Sequence, residues 1–162
     1  MEPYRLKIKT LHQAKMECDR LRAEGKKIVF TNGCFDIIHP GHTRYLSAAR
    51  GLGDHLVVAV NSDSSVRAIK GPRRPIFPDR ARAELLAALS CVDTVIIFDE
   101  DNPLKVIRYL LPDILVKGGD WSKDEIVGAD VVEDAGGEVR RIPLVPGFST
   151  TEIIKEINNQ KE

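Results

Sequence analysis

The chain has 162 residues, 43% of them hydrophobic, with 24 basic and 24 acidic side chains. These values are typical of one folded domain, and they argue against a disordered chain or one that binds nucleic acid through a basic surplus. Cys18, Cys34 and Cys91 are scattered along the chain, so neither a disulfide framework nor a zinc site is expected. No apolar run reaches the roughly 20 residues of a membrane span, and the first residues lack the apolar core of a signal peptide, which favours a cytoplasmic protein.

The spacing of apolar residues predicts helices and strands that alternate along the chain. Residues 1–25 are expected to form an N-terminal helical extension, with one helix over 11–22. Short apolar runs rich in β-branched residues predict buried strands at 27–31, 55–60, 94–98, 114–117 and 138–142. Helical spacing predicts further helices over 40–49, 64–69, 79–90, 103–110, 129–135 and 149–158. Asp79 and the hydroxyls of the last helix are expected to act as caps.

Alternation of this kind predicts a single α/β domain over residues 1–162, with its catalytic core at 26–158. The expected fold is a doubly wound, Rossmann-like parallel sheet of about five strands. In such sheets ligands bind beyond the carboxyl ends of the strands. The residues that directly follow each predicted strand are therefore the candidates for a functional site.

The first predicted strand leads into the sequence TNGCFDIIHPGH, residues 31–42. Two of the four histidines, His39 and His42, flank a Pro-Gly pair at the start of a predicted helix. A helix start offers unpaired N–H groups and the positive end of a dipole, which favour an anion. Gly33 and Gly41 allow a ligand to approach the backbone closely. This segment therefore predicts a phosphate site rather than a turn with two incidental histidines.

A basic loop follows the second predicted strand. Six cations fall within the sixteen residues from position 67 to position 82. For Arg73, Arg74 and Arg80 a solvated basic surface is an equal alternative to phosphate binding. The loop follows the second strand, so it is expected at the same edge of the sheet as the histidine segment.

Two other segments have residue types that either shape turns or bind ligands. Asn61 and Asp63 follow the second strand, where they can form turn and cap hydrogen bonds or hold the hydroxyls of an acceptor. Ser149, Thr150 and Thr151 start the last predicted helix. Their hydroxyls can cap that helix, and together with its free N–H groups they can also bind an anion.

The fourth predicted strand leads into the sequence KGGDW. Lys117 can reach a phosphate, and Gly118 leaves the backbone bare at the sheet edge. Asp120 can accept hydrogen bonds from ribose or sugar hydroxyls. Trp121 can wall the pocket, but packing is the more common role of a single tryptophan.

Five segments recur together and in order, namely TNGCFDIIHPGH, KGPRRP, PDILVKGGDW, GGEV and STTEII. In this combination the chain resembles the cytidylyltransferase-like nucleotidyltransferases, which carry the HxGH signature, from about residue 26 to residue 157. The resemblance implies a nucleotidyltransferase. In that family the two histidines contact the triphosphate, a mobile lysine closes over it, and the STT segment holds the β- and γ-phosphates.

The resemblance implies roles for individual residues of this chain. The implied catalytic residues are His39, His42 and Lys70. Asp36, Asn61 and Asp63 are implied at the acceptor substrate. Arg82 is implied to face the nucleotide, and the full set implied for nucleotide binding is Thr31, Asn32, Gly33, Cys34, Phe35, Gly41, Arg82, Lys117, Gly118, Asp120, Ser149, Thr150 and Thr151. No protein ligand for a metal is implied, and Mg²⁺ is expected on the phosphates of ATP.

Within the family, the chain resembles the stand-alone adenylyltransferases that convert ATP and D-glycero-β-D-manno-heptose 1-phosphate to ADP-heptose and pyrophosphate for lipopolysaccharide or surface-glycan synthesis. Glycerol 3-phosphate and phosphocholine-type cytidylyltransferases carry an RTxGxSTT pattern. This chain has Leu144 and Val145 in place of that arginine and threonine, and GGDW where those enzymes have GDDW. Both differences point away from the CTP branch, without themselves establishing adenine or heptose.

Two alternatives stay open. One is a cytidylyltransferase acting on glycerol 3-phosphate or another polyol or amino-alcohol phosphate. The other is a non-catalytic nucleotide-binding sensor, for which a broken HxGH segment or a missing Lys70 would be typical, and neither is seen. As partners we expect ATP and a sugar 1-phosphate, no nucleic acid, no membrane, and a second copy of the chain in a homodimer.

Overall fold

The computed structural model describes residues 2–119 and 121–160. The five strands of this part of the chain are β1 (Ile28–Gly33), β2 (His55–Asn61), β3 (Thr94–Phe98), β4 (Ile114–Gly118) and β5 (Glu138–Ile142). Its α-helices are α1 (Leu11–Ala23), α2 (Pro40–Arg50), α3 (Asp63–Lys70), α4 (Asp79–Ala87), α5 (Leu104–Leu110), α6 (Ala129–Asp134) and α7 (Thr150–Asn159). Two 3-10 helices cover Pro3–Lys7 and Lys123–Glu125.

The strands form one parallel sheet in the order β3-β2-β1-β4-β5. Phe30 in the central strand pairs with Val57 of β2 on one side and with Leu115 of β4 on the other. The chain winds outwards from β1 to β3, returns across β1, and winds outwards again to β5. This topology confirms the doubly wound, Rossmann-like sheet, and its switch point lies between β1 and β4, where such folds bind ligands.

Helices cover both faces of the sheet, which explains why the strands read as nearly continuous apolar runs. On one face Phe30 packs in a buried cluster with residues of α1, α5 and α6. On the other face its neighbour Val29 packs in a second cluster with residues of α2 and α4. Burying alternate side chains of one strand on opposite faces stabilises both layers at once.

The N-terminal segment lies against the edge of the sheet. Ile8 forms a parallel bridge to Val95 of β3, and the Lys9 N–H donates to the Val95 carbonyl oxygen at 2.9 Å. The segment therefore covers the free backbone of an edge strand, a common protection against unwanted strand pairing. Within the described ranges, no helix combines the length and the apolar character that crossing a bilayer requires.

Two predicted helix caps are wrong. α4 begins at Asp79 itself, because Pro78 occupies the cap position without a side-chain cap bond. The Asp79 carboxylate instead accepts from the Asp63 N–H at 3.2 Å, while the Asp79 N–H donates to Asp63 at 2.8 Å. Ser149 occupies the cap position of α7, but its hydroxyl makes no cap hydrogen bond. For Asp79 the difference arises because its carboxylate faces the start of α3.

Candidate active site

The centre of the site is the start of α2, directly after β1. His39 is the N-cap of α2, and its Nδ1 accepts from the His42 N–H at 3.4 Å. Because Nδ1 accepts, the neutral ring carries its proton on Nε2, which remains a donor. The two imidazole rings are stacked, with centroids 3.8 Å apart and an angle of 20° between planes. The HPGH segment thus packs its two histidines into one unit at a helix start.

Gly41 is required by this stacking. A Cβ at this position would lie 2.8 Å from His39 Cε1, 2.9 Å from His39 Nδ1 and 3.1 Å from Phe148 Cβ. Contacts this short would displace the His39 ring or the segment that carries Phe148. The glycine between the histidines is therefore a packing requirement of the paired rings as well as a point of backbone access.

Both histidines are biased toward the neutral form. The pKa of His42 is lowered to about 4, mainly by burial and also by the His39 ring, while hydrogen bonding to the Ile37 backbone opposes the shift. Burial also lowers the pKa of His39. In the part of the chain that the structure describes, His42 Nδ1 is buried without a hydrogen-bond partner. A buried polar atom without a partner is costly, and a ligand at this helix start could supply one.

Positive charge gathers around Cys34. Burial lowers the pKa of Lys117, and the charge of Lys70 lowers it further. Burial raises the pKa of the Cys34 thiol. The charges of Lys70, Arg82 and Arg74, from the largest effect to the smallest, act to lower it. Lys70 itself is exposed at the end of α3. An anion bound between the two lysines would relieve their mutual repulsion.

Asp36 has a different role from the predicted one at the acceptor. Its side chain is fully buried, and Oδ2 accepts from Arg74 Nε at 2.7 Å. Oδ1 accepts from the N–H groups of Ile76 and Phe77 at 2.8 and 3.0 Å. Burial raises the pKa of Asp36, but these backbone bonds and Arg74 outweigh burial, so the pKa lies below its usual value. The carboxylate therefore anchors the basic loop and leaves no exposed oxygen for a substrate.

Arg82 also differs from its predicted position facing the nucleotide. The side chain is fully buried, and Nη1 donates to the carbonyl oxygens of Cys34 and Asn61 at 2.6 and 2.8 Å. Nε donates to the Phe77 carbonyl at 2.9 Å, and Nη2 to Asp63 Oδ1 at 2.9 Å. The guanidinium thus joins the ends of β1 and β2 to the basic loop. These contacts could not be predicted from the sequence, because each partner atom is a backbone carbonyl oxygen or belongs to a residue distant in the chain.

Asn61 and Asp63 are predicted either to form turn and cap hydrogen bonds or to bind the hydroxyls of an acceptor substrate. The structure shows the first kind of contact. Asn61 is buried and its Nδ2 donates to Ser65 Oγ at 3.0 Å. Asp63 accepts from Asp79 and Arg82. These bonds fix the starts of α3 and α4 relative to each other. These hydrogen bonds hold both side chains against other protein groups and do not orient them toward an acceptor substrate.

The floor of the site consists of buried residues at the end of β1. The Thr31 hydroxyl is buried and lies 2.7 Å from the Tyr45 hydroxyl, which also donates to the Val116 carbonyl at 3.3 Å. Burial raises the pKa of Tyr45 to about 12. Phe35 is buried with a left-handed φ of 47°, and its ring would lie 2.9 Å from a Cβ on Gly33. Thr31 and Phe35 therefore support the site from below, and Asn32, Gly33 and Cys34 remain on the candidate surface.

The start of α7 lies beside the start of α2. The Phe148 ring is stacked near His39, with centroids 6.1 Å apart, and the Thr150 hydroxyl lies 3.5 Å from the Ile37 carbonyl oxygen. Arg44 of α2 lies 5.7 Å from the Phe148 ring centroid. The structure thus brings the predicted hydroxyls of Ser149, Thr150 and Thr151 next to the histidines, although 107 or more positions separate them in the sequence.

Sequence reasoning missed Phe148 and Tyr45. Tyr45 follows His42 by three positions on α2, so helical spacing could have indicated that it faces the same side. Phe148 precedes the three hydroxyl residues directly, but nothing local to it indicates contact with His39. Of the predicted site residues, Asp120 lies outside the described residues.

Comparisons with known proteins agree with this architecture. A family model described as cytidylyltransferase-like matches residues 30–156. A relative from Citrifermentans bemidjiense described as bifunctional protein HldE is 56% identical over 151 residues, which are 93% of this chain and 31% of the relative. Another of the same description, from Hyphomonas neptunium, is 59% identical over 85% of this chain and 28% of its own length. The chain therefore spans less than a third of these relatives.

Two solved structures share the fold. A lipopolysaccharide core biosynthesis protein from Thermoplasma volcanium GSS1 superposes with a TM-score of 0.61 at 32% identity, covering 75% of this chain and 98% of the other. Pantoate-beta-alanine ligase from Francisella tularensis, in complex with β,γ ATP and β-alanine, superposes with a TM-score of 0.60 at 15% identity, covering 94% and 76%. The second likeness concerns the fold alone.

Proposed function

Because the chain belongs to the cytidylyltransferase-like family and is a nucleotidyltransferase, we propose that it transfers AMP from ATP to D-glycero-β-D-manno-heptose 1-phosphate. The products are ADP-heptose and pyrophosphate. One observation carries the proposal: the starts of α2 and α7 meet at His39, and Lys117 and Lys70 lie near Cys34 in the segment that joins β1 to α2. Two helix starts and two lysines at one edge of the sheet provide the donors that a triphosphate requires.

The proposed reaction is an in-line substitution at the α-phosphorus. An oxygen of the sugar 1-phosphate forms the new O–P bond, the bond between the α-phosphorus and its bridging oxygen breaks, and pyrophosphate leaves with that electron pair. A phosphate monoester has its second pKa at about 6, so the attacking oxygen is already anionic and no general base is needed. The low pKa of His42, about 4, agrees with a group that hydrogen-bonds instead of removing a proton.

The side chains then act by positioning and by stabilising charge. His39 and His42 donate to phosphate oxygens at the helix start, and Lys117 and Lys70 neutralise charge that moves onto the leaving pyrophosphate. Ser149, Thr150 and Thr151 hold the β- and γ-phosphates with their hydroxyls and N–H groups. Preorganised donors of this kind need no rearrangement during the reaction, which is why they lower its barrier.

The proposal includes a Mg²⁺ ion bound to the phosphates of ATP. Among the described residues, no group of three or more His, Cys, Asp and Glu side chains is arranged to hold a metal ion. Mg²⁺ prefers oxygen ligands and keeps several waters, so phosphate oxygens suit it without a protein cage. The ion would supply charge neutralisation on the triphosphate.

The assignment of heptose rests on the resemblance of the five segments taken together, while the departures at 118–121 and 144–145 point only away from the CTP branch. The test is a pyrophosphate-release assay that crosses ATP and CTP with the heptose 1-phosphate and glycerol 3-phosphate. We expect release with ATP and the heptose 1-phosphate. Release with CTP and glycerol 3-phosphate alone would refute the proposal. Nucleotide binding without release in any combination would indicate the non-catalytic sensor.

A homodimer also belongs to the proposal, on the strength of the resemblance described above. Sedimentation velocity across a range of protein concentrations, with and without ATP, measures it directly. We expect a single species of about twice the chain mass of 18.0 kDa. A monomer at all concentrations would remove the dimer from the proposal and leave the reaction untouched.

A further inference from the structure

The two central strands, β1 and β4, pair with each other over only part of their length. Their register consists of Val29 with Ile114 and Phe30 with Leu115. On its other side β1 stays paired with β2 to its last residue, and β4 stays paired with β5 in the same way. A gap in the hydrogen-bond ladder therefore opens between β1 and β4 toward their carboxyl ends. This gap is the crevice at the switch point of the sheet, where ligands of such folds bind.

A tyrosine hydroxyl occupies the point where the pairing stops. Thr31 and Val116 would form the next pair of the register, and Tyr45 binds both of them. Its hydroxyl lies 2.7 Å from the Thr31 hydroxyl and donates to the Val116 carbonyl oxygen at 3.3 Å. A phenol has one proton and a carbonyl oxygen can only accept, so the Thr31 hydroxyl donates to Tyr45. One chain of hydrogen bonds, the Tyr45 bridge, thus runs from β1 through Tyr45 to β4.

The surroundings of the Tyr45 bridge make it hard to replace. Thr31 and Val116 are fully buried, so neither can turn to water if the bridge is lost. Burial raises the pKa of Tyr45 to about 12, so its hydroxyl stays protonated and remains a donor. The ring fills the space beside the bridge, since a Cβ on Gly118 would lie 3.3 Å from Tyr45 Cε2. Ring and hydroxyl together fix the separation of the two strand ends.

Tyr45 also belongs to the helix that carries the histidines. It follows His42 by three positions on α2, so the two side chains are neighbours on that helix. On the strand, Val116 directly precedes Lys117. The Tyr45 bridge therefore connects the helix start that carries His39 and His42 to the strand end that carries Lys117.

We propose that Tyr45 is a positioning residue whose hydroxyl sets the spacing between the histidines of α2 and Lys117 of β4, an inference that rests on the function proposed above. The hydroxyl acts through these groups, because its hydrogen bonds are already taken by Thr31 and Val116. Groups that stabilise a transition state must be held to within about 0.5 Å by the residues behind them. The Tyr45 bridge gives this support at the point where the pairing of β1 with β4 has ended.

The first experiment compares Tyr45→Phe, which keeps the ring and removes the bridge, with Tyr109→Phe as the matched control. Tyr109 lies on α5, on the opposite face of the sheet, with its hydroxyl 3.3 Å from His12 Nδ1. Pyrophosphate release is measured well below the unfolding temperature of each protein. We expect kcat to fall at least about tenfold in Tyr45→Phe, and by more than the KM for ATP rises, because misplaced groups fail mainly in the transition state.

A hydroxyl that only stabilised the fold would leave kcat unchanged at this temperature. A smaller decrease of kcat in Tyr45→Phe, or an equal decrease in Tyr109→Phe, would overturn the proposal.

The Tyr45 bridge itself is tested without turnover, by a double-mutant cycle on thermal unfolding. Thr31→Val removes the hydroxyl that donates to Tyr45 and keeps the shape of the side chain. We expect Thr31→Val to lower the unfolding temperature less in the Tyr45→Phe background than in the parent protein, because the hydrogen bond is already lost there. An equal or larger decrease would show that the two hydroxyls do not act together and would overturn the proposal.

Binding of inorganic tripolyphosphate, measured by calorimetry, separates this proposal from the proposed reaction. A polyanion that contacts both α2 and Lys117 needs them at the right spacing, so its Kd should rise at least about threefold in Tyr45→Phe and not in Tyr109→Phe. A smaller rise would overturn the spacing role. If the rise occurs although the parent protein releases no pyrophosphate with any substrate, the proposed reaction fails and the role of Tyr45 stands. If Tyr45→Phe keeps the kcat and the Kd of an active parent protein, the reaction stands and the role of Tyr45 is wrong.

Discussion

At the scale of single residues, His42 combines a low pKa with an unused ring nitrogen. Its ring lies 3.8 Å from the His39 centroid and 5.4 Å from the Phe35 centroid, and its Nδ1 is buried without a partner in the described residues. Packing between two rings explains the burial that lowers its pKa to about 4. A neutral imidazole at a helix start is suited to hydrogen bonding, and a bound polyanion would raise its pKa again.

The pKa of His42 predicts how stability depends on pH. Between about 6.5, the ordinary value, and about 4, the folded protein binds fewer protons at this ring than the unfolded chain. The free energy of unfolding should therefore fall as the pH falls through this window and be unaffected by His42 above it. Urea unfolding at several pH values compares the parent protein with His42→Gln, which should lose stability less steeply. Parallel curves would contradict the assigned pKa. His39 and His55, whose pKa values are also lowered, remain in both proteins.

Asp36 predicts a second result at this scale. Asp36→Asn keeps an oxygen for the N–H groups of Ile76 and Phe77 but removes the charge that binds Arg74. A hydrogen bond between charged groups contributes about 1.5–3 kcal/mol, so the loop should open more often. We expect faster hydrogen exchange at residues 73–77 and lower turnover.

The exposed carboxylate of Asp101 provides the control for this variant. Asp101→Asn should leave both the exchange of the loop and the turnover unchanged. If Asp36→Asn exchanges like the parent protein, Asp36 does not anchor the basic loop.

At the scale of elements, the site depends on how two helix starts meet. α2 carries the paired histidines, and α7 follows Phe148, which lies against His39. Gly41 lies where the two segments come close together, because a Cβ there would contact both His39 and Phe148. A small displacement at this point would move donors of both helices away from a shared ligand.

Gly41→Ala is therefore expected to reduce turnover by about 10²-fold, since a misplacement of about 1 Å can cost that much. Gly51→Ala is the matched control at the other end of α2. A Cβ on Gly51 would lie 3.4 Å from its nearest neighbour, the Ala48 carbonyl oxygen, and the residue has a helical φ of −65°. The control should keep its activity and unfold at the same or a slightly higher temperature. Equal turnover in both variants would exclude the packing role of Gly41.

At the scale of the whole molecule, the strand order decides what can meet at the site. Because β1 is central, the segments after β1, β2 and β4 come to one edge of the sheet. Arg82 connects two of these regions, with bonds to Cys34 after β1 and to Asn61 and Phe77 at and after the end of β2. A buried arginine with full hydrogen bonding is costly to disturb, because its removal leaves several buried acceptors without a donor.

Arg82→Met is accordingly expected to lower the free energy of unfolding by about 3–5 kcal/mol. Arg80→Met, an exposed position two residues earlier on α4, should change it by less than about 0.5 kcal/mol. Urea unfolding measures both. If the free energy of unfolding falls no more in Arg82→Met than in Arg80→Met, the bonds from Arg82 to the strand ends do not stabilise the fold.

Much of the fold could be predicted because its signals are local. The apolar runs at 28–30 and 55–60 indicate strands buried on both faces, and the alternation with helices indicates a parallel sheet. The helix start at the HPGH segment could be predicted for the same reason, since the cap, the glycine and both histidines lie within four consecutive residues. Helix ends were less accurate, as for α4, because caps depend on which other segments compete for the polar group.

The sequence by itself therefore determined the layered sheet, the family and the helix start that carries His39 and His42. Only the tertiary structure decided which polar residues face a ligand and which face the protein. Asp36 and Arg74 are 38 positions apart, and Arg82 and Cys34 are 48 apart. Whether such a side chain meets a substrate or a buried partner depends on contacts between distant segments, and local composition does not encode them. The same holds for Phe148, which reaches His39 only because α7 returns to the edge of the sheet.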